Sequence, residues 1–235
     1  MLSIITPVLN FQKSIKNLYF SIIKYNRNED IEWIIIKESS DTFSAKRFNF
    51  SNKLKLIILY TNKKNLYAAI NLGIKSMVSK YYIVMGQDDI FYKKGINSFF
   101  DTENQNFDFL IFRAISQNNI NDKLNRKKFF NHFMYQTNHS GGMFIKREAH
   151  NKIGFYEENF KIASDQYFLK QSLLKNLTYK KHEDIISKVG YPGISSLSKK
   201  LCLIENFQID LKLKNLSIVE IIYFIYRYIK FTIFK

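Results

Sequence analysis

At 235 residues, with 46% hydrophobic and 16% aromatic side chains and only 2 prolines, the chain holds enough apolar material for one large α/β domain, which excludes a disordered or fibrous protein. Its 36 lysines and arginines outweigh 20 acids for a formal net charge of +16, so acidic lipid, nucleic acid or phosphorylated small molecules are the partners that charge admits. The single cysteine, Cys202, excludes an intrachain disulfide, and no basic segment leads into a long apolar run at the start, so no signal peptide is expected and the protein is placed in the cytoplasm.

The first third alternates strand and helix. Ser3 to Val8 is an apolar strand, Phe11 to Tyr25 carries a helical pattern, and Ile31 to Ile36 is a dense β-type run. Lys37 to Ser44 is polar loop and Leu54 to Tyr60 a third strand. Between Lys64 and Ser79, Leu66, Ala69, Ile70, Gly73, Ile74 and Met77 share one helical face. The next strand, from Tyr81, runs directly into Gly86-Gln87-Asp88-Asp89. Such repetition predicts a largely parallel sheet with right-handed crossovers. Farther on, Phe107 to Ala114 reads as a strand, Gln117 to Lys128 as a polar loop, Gly141 to Ile145 as a turn entering a strand, and Ile162 to Leu174 as a helix. Residues 1–198 form one domain on this reading, and 199–235 a helical extension.

Paired acids at a strand's carboxyl end sit where open α/β sheets bind ligands. Asp88 and Asp89 repel one another unless a cation lies between them, and a hard divalent ion suits two carboxylates. The alternative is that they cap a turn or the following helix. Zinc-finger spacing, a Gly-rich phosphate loop and a ribonucleoprotein aromatic motif are all missing, so the charge alone does not make a nucleic-acid binder.

Together these residues resemble the family 2 glycosyltransferases, which have a GT-A type nucleotide-sugar-binding fold, over about the first two hundred positions. Ser3-Ile4-Ile5-Thr6-Pro7-Val8-Leu9-Asn10 resembles the family's opening S-I-I-T-P-x-x-N, and Ile31 to Ile36 followed by Ser39-Ser40-Asp41 its second strand and acidic turn. Asn65 to Ile74 is similar to the G-I-Y-D-A-M-N-K-G-I helix, and Gln87-Asp88-Asp89 to the S-D-D form of the D-x-D motif. Gly154-Phe155-Tyr156-Glu157-Glu158, Ile162-Ala163-Ser164-Asp165 and Gly190 to Ser195 are similar to the late G-x-F-D-E, I-A-A-D and G-G-V-S elements. No one motif is specific alone; their order is.

The resemblance implies an inverting transfer of a hexosyl or N-acetylhexosaminyl group from a nucleotide-sugar donor to the hydroxyl of a glycan or lipid-linked acceptor, in cell-surface polysaccharide or glycolipid synthesis. It implies Asp89 as a ligand to Mg²⁺ or Mn²⁺, Asp88 by the ribose or behind the metal, and Asp165 as the general base. Thr6, Pro7, Asn10, Glu38 and Asn71 would line the nucleotide-sugar pocket, and His139 would face acceptor or phosphates. Simpler roles stay open: Asn10 as a helix cap, Asp165 as a first-turn acid on a helix dipole, His139 as a structural hydrogen-bonder.

Three positions depart from the family pattern. Lys37 or Glu38 stands where the family carries the Asp that reads uracil. Ala68 replaces the helix Asp, and Asn65 the first Gly, a mild change because Asn tolerates a left-handed backbone. An inactive, scaffold-like relative is the alternative these departures leave, and a basic nucleic-acid-binding protein the one that charge leaves. The tail from Leu216 is apolar with a narrow stripe of Glu220, Arg227 and Lys230. Its charges fit a helix lying on an anionic membrane, at the inner face of the cytoplasmic membrane, better than a span. Packing on the domain or in a dimer is the competing expectation.

Overall fold

The computed structural model describes residues 1–8, 13–25, 31–39, 54–116, 119–121, 126–129, 132–135, 140–190, 198–214 and 216–233. Strands β1 (Leu2–Val8), β2 (Ile31–Glu38), β3 (Lys55–Thr61) and β4 (Tyr81–Val84) lie in the order β3-β2-β1-β4, all parallel. Helix α1 (Ile15–Tyr25) buries Ile15, Leu18, Tyr19 and Ile22, a 3–4 spacing that places one apolar stripe on the sheet. Helix α2 (Leu66–Ser76) lies so close to β1 that a Cβ on Gly73 would sit 2.8 Å from Ile5 Cγ2. Asn65 caps α2 from an extended backbone, its side chain accepting the Ala68 N–H at 2.9 Å.

Beyond β4 the sheet becomes mixed. After β5 (Ile90–Phe91) and α3 (Lys93–Thr102) come β6 (Phe109–Ser116), β7 (Asn119–Asn121), β8 (Arg126–Phe129), β9 (His132–Tyr135) and β10 (Met143–Lys146). Strand β10 inserts antiparallel between β4 and β6. Then follow α4 (Ala149–Ile153), α5 (Ser164–Leu174) and β11 (Tyr179–Val189), which pairs parallel with β6 and antiparallel with β5. The expected polar loop from Gln117 contains β7, hydrogen-bonded to β6; strand pairing there uses backbone groups that residue polarity does not report.

Both faces of the sheet are covered, as parallel strands require. One core layer joins Leu18, Ile22, Trp33, Phe99 and Phe144 under α1 and α3. The other joins Ile5, Ile34, Ile70, Ile74 and Phe168 under α2, α4 and α5. Helices α6 (Lys199–Lys212) and α7 (Ile218–Ile233) close the described chain. The boundary expected at Ser198 falls just before a helix that reaches back onto α5: Ile209 of α6 is buried with Phe160 and Ala163, and Lys170 of α5 pairs with Asp210.

Candidate active site

The carboxyl edge of the parallel strands carries the acids. Asp89 follows β4 and is almost wholly buried, and its two carboxylate oxygens accept different backbone N–H groups. Oδ2 takes that of Gly86 at 2.6 Å and Oδ1 that of Gly190 at 2.8 Å, while the Asp89 N–H donates to Gly86 O at 3.1 Å. One side chain therefore closes its own turn and clamps the end of β11 to it. Burial pushes its pKa up to about 7; the two N–H bonds pull against that rise, and the Asp88 charge adds to it. Asp88 is exposed. Its carboxylate lies over Gly190 so closely that a Cβ there would fall 1.6 Å from Oδ2 and 2.1 Å from Cγ. Only glycine leaves room for the acid.

Asp165 stands in the first turn of α5, partly buried. Its Oδ1 accepts the Tyr67 hydroxyl at 3.2 Å and the Gln166 N–H at 2.9 Å. Tyr67 opens α2, which begins just past the carboxyl end of β3, so Asp165 shares the sheet edge that holds Asp89. Burial raises the Asp165 pKa to about 6 against those two bonds, and the charge of Glu205 adds to the rise. Burial and the neighbouring Asp165 charge push Tyr67 well above the ordinary tyrosine range, so it stays a hydrogen-bond donor. A cluster of tilted aromatic rings fixes the surroundings: Tyr156 lies 5.7 Å from Tyr67 and 4.9 Å from Phe168 between ring centroids.

The helix bearing Asp165 has no side-chain cap of its own at Ala163. Glu205 of α6, nearly fully buried, supplies one from a distance, accepting the N–H groups of Lys161, Ile162 and Ala163 at 2.7, 2.9 and 2.9 Å. Sequence reading missed it, because no local spacing links residues forty positions apart; an acid among the apolar residues Leu203, Ile204 and Phe207 was the available signal.

The other expected pocket residues divide. Glu38 ends β2 and pairs with Lys64 at 3.3 Å, while the neighbouring Lys37 is buried with its ammonium 6.0 Å from the Tyr60 ring centre. Thr6 is fully buried, its hydroxyl accepting the Trp33 indole N–H at 2.9 Å; Pro7 beside it is partly exposed. Asn71 ties α2 to the Tyr156 loop, accepting the Tyr156 N–H at 3.0 Å and donating to Tyr156 O at 2.8 Å. Its amide thus positions the Glu157-Glu158 segment. Ala68 is buried, where a carboxylate would lack water. Asn10 and His139 lie outside the described residues, as does the Gly190 turn beyond Gly190 itself.

Among the described residues, no three His, Cys, Asp or Glu side chains gather into a metal cage. Asp88 and Asp89 still fit a divalent ion of the kind that takes one or two carboxylates and completes its shell with substrate phosphates and water. Asp88 is open to solvent, and Asp89 uses only two of about four lone-pair sites on N–H groups.

A mixed sheet flanked by helices, with a carboxylate pair at the end of its fourth strand and a helix-borne acid at the same edge, defines a GT-A type glycosyltransferase fold. The chain belongs to the family described as Glycosyl transferase family 2, whose model matches residues 3–175. Among solved structures it is similar to the TarS 1-349 fragment from S. aureus, with a TM-score of 0.68 and 16% identity over 92% of this chain and 66% of that one. The TarS fragment in complex with UDP-GlcNAc matches with a TM-score of 0.66 and 16% identity, over 99% of this chain and 73% of that one. The mannosyltransferase PcManGT from Pyrobaculum calidifontis, in complex with GDP-Man and Mn2+, gives a TM-score of 0.68 at 12% identity, over 92% of this chain and 64% of that one. The chain spans 66% and 43% of the lengths of two TarS structures. No curated protein matches the sequence.

Proposed function

We propose that this glycosyltransferase moves a hexosyl or N-acetylhexosaminyl group from a nucleoside-diphosphate sugar to an acceptor hydroxyl with inversion, on a glycan or lipid-linked acceptor of surface-polysaccharide or glycolipid synthesis. The observation that carries the reading is Asp165, a partly buried acid with its proton affinity raised to about 6 and its Oδ1 holding the Tyr67 hydroxyl and the Gln166 N–H. Such a group is ionised at neutral pH yet basic enough to accept a proton, and Oδ2 is the oxygen that takes it. As the acceptor oxygen attacks the anomeric carbon, the bond from that carbon to the phosphate oxygen breaks. The hydroxyl proton passes to Asp165, and the nucleoside diphosphate leaves with the bonding pair. Direct displacement inverts the carbon.

Asp88 and Asp89 would hold Mg²⁺ or Mn²⁺, which when bound supplies positive charge for the departing diphosphate. The Mn2+ in the PcManGT complex supports that choice of ion. Glu38 keeps an acceptor for a base N–H, and the UDP-GlcNAc and GDP-Man complexes of the related folds make both nucleotides candidates. Release of nucleoside diphosphate from a panel of UDP- and GDP-sugars, with and without Mn²⁺, tests the reading. Metal-stimulated release from one of them supports it; stabilisation by nucleotide sugars without any turnover would instead support an inactive scaffold.

A further inference from the structure

Helix α7 turns its apolar side away from the protein. Ile218, Ile222, Ile225, Ile229 and Ile233 recur at the spacing of one helical face, and each is between 48% and 76% exposed. No residue of α7 is buried. The half-buried positions form the opposite stripe, Glu220, Phe224, Arg227 and Phe231. Phe224 stacks on Phe207 of α6 with centroids 4.0 Å apart, Glu220 accepts the Ser217 N–H at 2.8 Å, and Arg227 lies 5.1 Å from the Phe231 ring. A soluble surface rarely shows a continuous isoleucine row of this length, and such patches mark a binding face.

The rim of the row identifies its occupant. Tyr226 borders it, an amphipathic ring of the kind that favours a lipid headgroup layer, and Lys230 is exposed along that same border. The one acid of α7, Glu220, faces the protein, so the exposed side offers no counter-charge to a second copy, and two chains of net charge +16 repel. No helix among the described residues is long and apolar enough to cross a membrane. We propose that α7 lies flat in the headgroup region of an anionic bilayer, its isoleucine row at the acyl boundary and Lys230 among lipid phosphates. The proposal does not depend on the transfer reaction.

Sedimentation of the full chain with phosphatidylglycerol vesicles, and with phosphatidylcholine vesicles, tests it. The expected result is binding to the anionic vesicles that falls at least about tenfold in the Ile222→Glu/Ile229→Glu variant. Because both side chains are exposed, the variant should melt at the wild-type temperature. Lys230→Glu, which leaves the isoleucine row intact, should weaken phosphatidylglycerol binding by at least about fivefold. Equal sedimentation of wild type and double variant would overturn the proposal. So would wild type that stays in the supernatant, including the case in which it forms a dimer that the double variant breaks.

Discussion

Glu205 accepts the backbone N–H of Ala163 at 2.9 Å, two residues ahead of Asp165. Together with its bonds from Lys161 and Ile162, this makes a side chain beyond the matched family region the cap of the helix that carries the proposed base. A carboxylate at that end satisfies free N–H groups and complements the helix dipole. Its charge also contributes, after burial, to the raised proton affinity of Asp165.

Glu205→Gln should therefore lower stability by about 1–3 kcal/mol, because an amide nitrogen faces N–H donors that the carboxylate accepted. It should also slow transfer while leaving donor affinity intact, and move the acidic limb of the rate profile to lower pH. Melting curves, calorimetric donor titration and a pH–rate profile read the three effects. A loss of stability with an unmoved limb would make Glu205 purely structural.

Gly190→Ala should displace Asp88 without unfolding the chain. The atoms nearest the new Cβ are the carboxylate end of an exposed side chain, which can swing away. Metal-dependent donor affinity should fall at least about tenfold, a loss of one carboxylate contact to the ion, while the melting temperature without metal stays near wild type. Unchanged affinity would show that the position of Asp88 over Gly190 does not matter for the donor.

Asp88→Asn and Asp89→Asn should differ. Each removes a charge from the proposed metal site, but Asp89 also joins Gly86 to Gly190. An amide there must oppose one of those N–H groups with its own, at a cost of about 1–3 kcal/mol. Urea unfolding without metal should show Asp89→Asn destabilised and Asp88→Asn close to wild type. Equal stabilities would mean that the clamp contributes nothing.

Proton linkage supplies a separate check. Asp89 and Asp165 have folded pKa values near 7 and 6, above the ordinary carboxylate value. Their contribution to stability is fully present below about pH 4 and is lost as pH rises through 6 to 7. His150, buried and lowered to about 4 by desolvation, acts in the opposite direction, so differences between variants are the clean readout. Asp165→Asn should match wild type near pH 3 and exceed it by roughly 1–3 kcal/mol near pH 8. Mn²⁺ should stabilise wild type more at the higher pH, because a cation favours ionised Asp89. A variant advantage that does not grow with pH would contradict the raised Asp165 affinity.

What could be read from the chain follows from the range of the interactions. Strands β1, β2 and β4 are mostly apolar because they are buried on both faces, and the break into Asp88-Asp89 marks a strand end. Strand β11 escaped notice because Tyr179 to Glu183 is mostly polar and only its later residues, such as Ile186 and Val189, enter the core. The composition of α7 was legible, whereas the outward direction of its isoleucine row needed the position of α6. Asp165 was visible through its motif, but Tyr67 and Glu205, which set its environment, act across 98 and 42 or more residues.

The initial rate of sugar transfer by Asp165→Asn, on the donor found by the panel and an acceptor it serves, tests the central claim most directly. The amide keeps an oxygen for the Tyr67 hydroxyl, so donor binding should stay at the wild-type level. Transfer should fall by about 10²–10⁴-fold, the usual loss with a general base. Transfer at the wild-type rate, with donor binding intact, would contradict the assignment of Asp165 as the base.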